Sequence, residues 1–274
     1  MRNLLEKLVS GELSISEAEK LIRLNALQEM EHLAKIDNGR ELRKGVPEII
    51  LADGKSPEDL NVIILKAIEQ LDHVIVSRAS KSHVEAIKQV VPPEVSLLGD
   101  TSMRTLAIRK KGFEVHKTGG IIGILTAGTS DIPIAEEARI VAEEMGCEVI
   151  SAFDVGVAGI HRLFKPLKMM ITKQVDVIIA VAGREGAMPT VIAGLVDIPI
   201  IGVPTSFSWG LGEKGLSALI SMLQACPLGL TVVNIDGGVA AGAAAALISN
   251  RAAAARNTSQ STNLSPRSIE LPLA

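Results

Sequence analysis

The chain has 274 residues and a formal net charge of -3, and 47% of its residues are apolar. This composition is sufficient for the core of one or two domains, and the balanced charge excludes the strongly basic surface typical of nucleic-acid binding. With four phenylalanines, one tryptophan and no tyrosine, the chain also has little material for the base-stacking platforms of such proteins.

The first residues, "MRNLLEKLVSGELSISEAEK", are charged throughout and do not have the pattern of a signal peptide. The longest apolar runs, such as 239–248, fall short of the roughly 20 residues that a membrane-spanning helix needs. The two cysteines, Cys147 and Cys226, form no CxxC motif. We therefore expect a cytoplasmic protein that binds neither membrane nor nucleic acid.

Residues 1–117 predict an N-terminal helical and small α/β unit. Ser14 and Glu17 have the spacing of a capping box that opens an amphipathic helix extending to about Lys35. A strand, a helix capped by Ser56 or Asp59, a second strand and a second helix are then predicted at 48–52, 62–71, 73–78 and 80–91.

From residue 118 onward, apolar β-runs alternate regularly with helical segments. The predicted strands are 120–127, 148–153, 176–183, 198–204 and 230–236, and the predicted helices are 133–145, 159–173, 187–196, 212–224 and 238–255. Such alternation predicts the α/β class, a three-layer open parallel sheet with helices on both faces, as in flavodoxin-like and Rossmann-like folds. This domain would cover 118–256, and the polar tail 257–274 is predicted to be disordered.

The segment "AGTSDIP" (127–133) follows the first strand of this sheet. Ligands of open parallel sheets bind beyond the carboxyl ends of the strands. Gly128 permits a tight turn, Ser130 or Asp131 can cap the next helix, and the hydroxyls of Thr129 and Ser130 can join the helix N–H groups in binding an anion. The Asp131 carboxylate suits a ribose hydroxyl. An ordinary capped helix explains the motif equally well.

The segment "AGREGAMP" (182–189) repeats this design after the third strand. Gly183 and Gly186 flank Glu185, and a helix starts near Ala187. Asp154, at the end of the second strand, is placed to face Glu185, and two such carboxylates can hold one Mg²⁺ beside a diphosphate. The alternative is that both are solvated loop acids.

The cysteines differ in their surroundings along the sequence. Cys147 directly precedes a strand and is expected in the core. Cys226 lies between a helix end and the last strand, where the helix dipole opposes a thiolate. From the residues alone, Cys226 is therefore interpreted as a buried, inert thiol. His161 is either a base or a surface residue.

Several motifs, taken together, resemble the LarB family of nickel-pincer cofactor biosynthesis, which is related to PurE-type aminoimidazole ribonucleotide (AIR) carboxylases. They are "TAGTSDIPIAEEA", "DVGVAGIHRLF", "VAGREGAMPTVIAGLVDIPIIGVPTS" and "LQACPLGLTVVNID". The resemblance covers nearly all of 119–242 and extends to "RELRKGVPEIILADGK" and "VSRAS". It implies that 118–256 is a PurE-like catalytic domain.

The resemblance implies a carboxylase/hydrolase. Its substrates would be nicotinic acid adenine dinucleotide and CO₂, and its products pyridinium-3,5-biscarboxylic acid mononucleotide and AMP. Cys226 occupies the position of a cysteine that bonds transiently to the ring. The implied substrate-binding residues are Gly128, Thr129, Ser130, Asp131, Gly183, Gly186, Ala187 and Asp236.

The same resemblance implies a homo-oligomer without an organic cofactor, in which the Ala-rich segment 239–256 is a candidate contact helix. The positions of Asp154 and Glu185 at the strand ends, not the resemblance, lead us to expect that these two carboxylates hold Mg²⁺.

The chain departs from the related patterns at three places. The related AIR carboxylases carry a "SAHR"-type histidine after the second strand, where this chain reads "SAFDVGVAGIHR". The LarB-like pattern "PTSVGYG" is here "PTSFSWG" with Trp209, and the Asn after the last strand's Asp is here Gly237. Two alternatives remain open at this stage: an AIR carboxylase/mutase of purine biosynthesis, and a non-catalytic nucleotide-binding regulator.

Overall fold

Two units with separate sheets, Met1–Glu114 and Val115–Ala274, make up the chain. The computed structural model describes residues 7–18, 28–30, 34–37, 39–99 and 104–262. The sequence places the boundary between residues 117 and 118, three residues further along. Each unit is described by itself below.

The N-terminal unit begins with the predicted capping box. The Ser14 N–H donates to Glu17 Oε2 at 2.9 Å, and the Glu17 N–H donates to Ser14 Oγ at 3.2 Å. The prediction of one helix as far as Lys35 is wrong, because strands β1 (Gln28–Met30) and β2 (Ala34–Ile36) form an antiparallel pair. Residues 34–36 alternate apolar and charged side chains, a period of two that fits a strand.

A four-stranded mixed sheet forms the rest of this unit. Its elements are α1 (Arg40–Lys44), β3 (Ile49–Leu51), α2 (Pro57–Gln70), β4 (His73–Ser77), α3 (Lys81–Val90), β5 (Val95–Leu98) and β6 (Leu106–Lys110). The strand order is β3-β4-β6-β5, with β3 and β4 parallel and the other pairs antiparallel. Ser56 caps α2, since its hydroxyl oxygen accepts from the Asp59 N–H at 3.1 Å. The predicted strands and helices of 48–91 are thus present.

The second unit contains the five predicted strands and the five predicted helices. They are β7 (Ile121–Thr126), α4 (Ile132–Glu144), β8 (Glu148–Ala152), α5 (His161–Thr172), β9 (Val177–Ala182), α6 (Ala187–Ala193), β10 (Ile200–Pro204), α7 (Leu216–Leu223), β11 (Leu230–Val232) and α8 (Gly238–Thr262). All sheet pairs are parallel, in the order β11-β10-β9-β7-β8.

Helices cover both faces of this sheet, which confirms the predicted three-layer α/β class. Side chains of α5, α6 and α7 pack in one apolar cluster on one face. On the other face α8 packs against α4 so closely that a Cβ at Gly242 would lie 2.5 Å from the Ala138 carbonyl oxygen. Strand β9 is buried along its whole length, as expected for a parallel strand covered on both faces.

The last helix is longer than predicted. The sequence predicts a disordered tail from residue 257, but α8 continues to Thr262, and residues 263–274 lie outside the described residues. Alanine-rich sequence favours the helix. The Arg256 guanidinium also fixes it to the sheet, because it pairs with Asp176 and donates to the Gly119 carbonyl oxygen at 3.1 Å. Within the described ranges, no helix is both long and apolar enough to span a membrane.

Candidate functional site

A topological switch point lies between β7 and β9. The chain places β8 on one side of β7 and then returns to form β9 on the other side. The loops that leave β7 and β9 therefore run to opposite faces of the sheet and open a crevice between them. A cavity of about 290 Å³ lies in this crevice, walled by the segments that follow β7, β8, β9 and β10. The predicted loops thus gather at one edge.

The Asp131 carboxylate connects three of these loops. Asp131 is only 4% exposed; its Oδ2 accepts from the Gly128 N–H at 2.9 Å, and its Oδ1 accepts from the Thr205 hydroxyl at 2.7 Å. Burial raises the pKa of Asp131, against the lowering effect of these bonds and of the Gly183 N–H. We call this arrangement of Asp131, Gly128, Gly183 and Thr205 the Asp131 clasp. Both of its oxygens accept bonds from protein donors, and the role of holding a ribose hydroxyl stays a prediction.

An anion near α4 would meet the turn that leads into this helix, because the Ile132 N–H donates to the Thr129 carbonyl oxygen and the Asp131 N–H to the Gly128 carbonyl oxygen. Thr129 and Ser130 are exposed in a short 3-10 turn, and Ser130 lines the cavity. Asp131 precedes α4 without forming a side-chain cap, and Pro133 lies in the first turn. The first N–H groups of a helix that lacks a side-chain cap favour negatively charged groups.

The loop after β8 contributes an ion pair to the cavity wall. Asp154 adopts a left-handed backbone conformation with φ of 57°, and its N–H donates to Thr126 Oγ1 at 3.1 Å. Arg162 lies in the first turn of α5, and its Nη1 donates to Asp154 Oδ2 at 2.7 Å. Arg162 is a site residue that the sequence does not predict. Its position eight residues after Asp154, at the start of a predicted helix, was the available signal.

The loop after β9 has a fixed, tightly packed backbone. Gly186 has φ of 64°, and a Cβ there would lie 2.8 Å from the Ala218 carbonyl oxygen. Arg184 also has a positive φ, 52°, and its carbonyl oxygen accepts from the Ser217 hydroxyl at 2.7 Å. These constraints leave the side chains of Arg184 and Glu185 exposed at the cavity.

The loop after β10 places an aromatic ring beside the cavity. The Arg184 guanidinium carbon lies 4.3 Å from the centre of the Trp209 ring, a distance typical of a cation–π contact. The Ser208 hydroxyl closes the loop, since it donates to the Gly212 carbonyl oxygen at 3.1 Å and accepts from the Gly215 N–H at 2.9 Å. In the sequence Trp209 is a departure from a related pattern, with no role predicted for it.

Two known protein families match this chain, one in each of its two units. Residues 121–267, more than half of the chain, match the AIR carboxylase family. The chain belongs to the AIR carboxylase family. Residues 27–108 match the LarB/PurE-like N-terminal domain.

The relatives of this chain match different lengths of it. An uncharacterized protein of Methanocaldococcus jannaschii is 44% identical over 250 residues, covering 90% of this chain and 96% of the relative. The N5-carboxyaminoimidazole ribonucleotide mutase of the same organism is 35% identical over 120 residues, covering 43% of this chain and 71% of the mutase. The mutase of Thermotoga maritima is 28% identical over 117 residues, covering 41% of this chain and 66% of the mutase.

The AIR carboxylase-type sheet brings most of the predicted site residues to one cavity. The predicted residues that line it are Gly128, Ser130, Asp131, Asp154, Gly183, Glu185 and Ala187, and those outside its lining are Thr129, Gly186, Asp236 and Cys226. Asp236 supports the neighbouring loop, because its Oδ1 accepts from the Ser206 N–H at 2.9 Å.

The two cysteines lie in different environments. Cys147 is buried, as predicted, and burial raises the pKa of its thiol to about 11. Cys226 is exposed, so the residue-only expectation of a buried thiol is wrong. It precedes β11 at the amino-terminal edge of the sheet, whereas the cavity lies at the carboxyl edge. A five-residue strand spans about 16 Å, so one chain does not bring Cys226 to its own cavity.

The carboxylates give only a partial set of metal ligands. Asp154 and Glu185 line the same cavity, but Asp154 already accepts a bond from Arg162. Among the described residues, no cluster of three or more His, Cys, Asp or Glu side chains could hold a metal. Mg²⁺ commonly takes one or two carboxylates together with substrate phosphates. The two residues fit that mode, so a magnesium site that forms with the substrate stays a prediction.

Proposed function

We propose that this protein carboxylates the pyridinium ring of nicotinic acid adenine dinucleotide at C5 with CO₂ and cleaves the phosphoanhydride. The products would be pyridinium-3,5-biscarboxylic acid mononucleotide and AMP. The proposal rests on the residues that follow β8 in the lining of the cavity. Where the related AIR carboxylases read "SAHR", this chain reads "SAFD", so Phe153 replaces the histidine, and the next residue, Asp154, pairs with Arg162. Carboxylates and guanidiniums are the titratable groups lining this cavity, which suits a cationic ring with an attached diphosphate.

The cavity offers complementary charge to each part of such a substrate. The diphosphate is favoured by the positive end of the α4 dipole, by the exposed hydroxyls of Thr129 and Ser130, and by the guanidiniums that line the cavity. The carboxylates of Asp154 and Glu185 favour the positive pyridinium ring. When bound with the substrate, Mg²⁺ at these two carboxylates would supply neutralisation of the phosphoanhydride charge.

The ring chemistry needs a nucleophile because a pyridinium carbon does not attack CO₂. The Cys226 thiolate forms a bond to the ring carbon beside C5, and the ring π electrons move to the nitrogen, giving a neutral enamine. C5 then attacks the carbon of CO₂. Loss of the C5 proton to a base and departure of the thiolate restore the aromatic ring. Water cleaves the phosphoanhydride in a separate step and releases AMP.

The position of Cys226 sets a condition on this mechanism. Since Cys226 and the cavity lie at opposite edges of one sheet, the thiol that reaches the ring must come from a second copy of the chain. A homo-oligomer is therefore part of the proposed function, and the exposure of Cys226 is compatible with that role.

The test is incubation with nicotinic acid adenine dinucleotide, bicarbonate and Mg²⁺, followed by mass spectrometry of the nucleotides. We expect the carboxylated mononucleotide and AMP from the native protein and no carboxylated product from Cys226→Ala. Unchanged carboxylation by Cys226→Ala would refute the thiol mechanism.

Mixed oligomers test whether the thiol comes from a second copy of the chain. Cys226→Ala and Arg162→Ala are each expected to be inactive alone, because one lacks the thiol and the other a cavity cation. Co-expressed, they should regain activity in oligomers where an intact thiol meets an intact cavity. Failure to regain it, with mixed oligomers demonstrated by native mass spectrometry, would contradict donation between copies.

A second candidate is AIR carboxylation or the mutase reaction, which the matches to N5-carboxyaminoimidazole ribonucleotide mutases over the sheet domain favour. The same assay with aminoimidazole ribonucleotide in place of the dinucleotide separates the two. Carboxylation of that substrate, together with no reaction of the dinucleotide, would select the purine-pathway activity.

A further inference from the structure

Trp209 is an exposed aromatic ring at the mouth of the cavity. Its side chain is 73% exposed, although it also contributes to the cavity lining. It is the sole tryptophan in a chain without tyrosine. An indole of this size gains much free energy from burial, so its exposure beside a ligand-sized crevice requires an explanation.

The conformation of the ring is supported from two sides. The loop that carries Trp209 is closed by the two Ser208 bonds described above. Arg184 covers one face of the indole, and the strained backbone of Arg184 is held in place by Ser217. Non-glycine residues with positive φ persist only where the surroundings fix them, and they cluster at ligand sites.

The remaining face of the indole suits a neutral planar ring. Arg184 already places a positive charge against one face, so a second cation on the opposite face would meet repulsion through the ring. A purine base is planar, neutral and polarisable, and it stacks on aromatic side chains without needing specific hydrogen bonds. The cavity volume of about 290 Å³ is at the low end of the roughly 300–1,000 Å³ range of ligand pockets. A dinucleotide therefore needs contact surface outside the cavity.

We propose that Trp209 is the stacking platform for the purine base of the nucleotide ligand, with Arg184 selecting a neutral ring over a cationic one. The purine then lies at the mouth on Trp209, and the phosphates face the start of α4 and Arg162. This inference rests on the proposed nucleotide substrate, but it concerns binding of the purine end and requires no turnover.

The experiment uses the native protein and the fluorescence of its single tryptophan. AMP, ribose 5-phosphate and nicotinic acid mononucleotide are titrated separately, and calorimetry measures their affinities in parallel. We expect AMP to quench Trp209 with the affinity that calorimetry gives and ribose 5-phosphate to leave the fluorescence nearly unchanged. Since base stacking on an aromatic residue has a typical effect of about 5- to 150-fold on affinity, AMP should bind more tightly than ribose 5-phosphate by a factor in that range.

Two variants complete the test. Trp209→Ala should lower AMP affinity to that of ribose 5-phosphate without changing the affinity for ribose 5-phosphate, and Trp209→Phe should retain most of the difference. Arg184→Met should reduce the ratio of the affinity for AMP to the affinity for nicotinic acid mononucleotide.

Three results would overturn the proposal: AMP binding without quenching, no AMP binding at all, or a Trp209→Ala variant that loses affinity equally for AMP and for ribose 5-phosphate. Quenching by nicotinic acid mononucleotide alone would also overturn it, because the ring on Trp209 would then be the pyridinium. Absence of carboxylated product from the native protein, with AMP quenching intact, would instead refute the proposed function alone.

Discussion

The Asp131 clasp predicts that one hydroxyl group has a measurable, pH-dependent effect on stability. Thr205 is fully buried and Asp131 is 4% exposed, so the 2.7 Å bond between them is shielded from water. Thr205→Val keeps the shape of the side chain and removes the donor. Because hydrogen bonds to charged groups contribute about 1.5–3 kcal/mol, we expect the free energy of unfolding to fall by about that amount at pH values where Asp131 is ionised.

The pH dependence follows from the raised pKa of Asp131. The contribution of a carboxyl group with a raised folded pKa is fully present below the unfolded value of 3.8 and is lost as pH rises through the folded pKa. Thr205→Val removes a bond that lowers this pKa, so the carboxyl titrates at a still higher pH in the variant. The difference between native protein and variant should therefore be smallest in acid and should grow as pH rises through the titration of Asp131.

Urea unfolding monitored by circular dichroism at a series of pH values measures this difference. For a domain of this size, about 2–4 °C of melting temperature corresponds to each kcal/mol, so thermal scans at the alkaline end of the series should show a decrease of about 3–12 °C. Thr205→Ser is the matched control, since it keeps the hydroxyl and should show a loss that does not vary with pH. A pH-independent loss in Thr205→Val, or a loss below about 0.5 kcal/mol, would refute the reasoning.

Two further predictions follow from individual side chains. Gly183→Ala should weaken nucleotide binding in calorimetry and lower the melting temperature, because its Cβ would lie 2.7 Å from Thr205 Oγ1 and 2.8 Å from the Phe207 carbonyl oxygen; unchanged affinity would contradict this. Iodoacetamide at mildly alkaline pH should alkylate the exposed Cys226 in the native protein and spare Cys147, because burial raises the pKa of the Cys147 thiol to about 11. Mass spectrometry of the peptides before and after denaturation measures the modification of each cysteine. Modification of Cys147 before denaturation would contradict its burial.

The fold of the second unit was predictable because its signals are local and repeated. Apolar runs separated by helix-length segments fix a parallel sheet and its order of elements, and both predicted glycine-containing turns lie at the cavity. In the first unit, residues 28–36 carry a pattern compatible with either helix or strand, and strand pairing decided in favour of the strand.

The site was less predictable because several of its contacts are long-range. The bond from Thr205 to Asp131 joins residues 74 positions apart, and no spacing in the sequence indicates it. Arg162 and Trp209 have no motif of their own and acquire a role from their neighbours in space. Cys226 was placed near the cavity by resemblance, but the direction of the parallel strands puts it at the other edge of its own chain.

The Asp131 clasp also limits how this site can be altered. One carboxylate joins the segments that follow β7, β9 and β10, so the three segments behave as a single transplantable part. Grafting one of them from a relative with a different substrate would leave a buried carboxylate without its donors and so reduce folding yield. Redesign of substrate preference in this protein should therefore exchange the three segments as a set, with the acid retained.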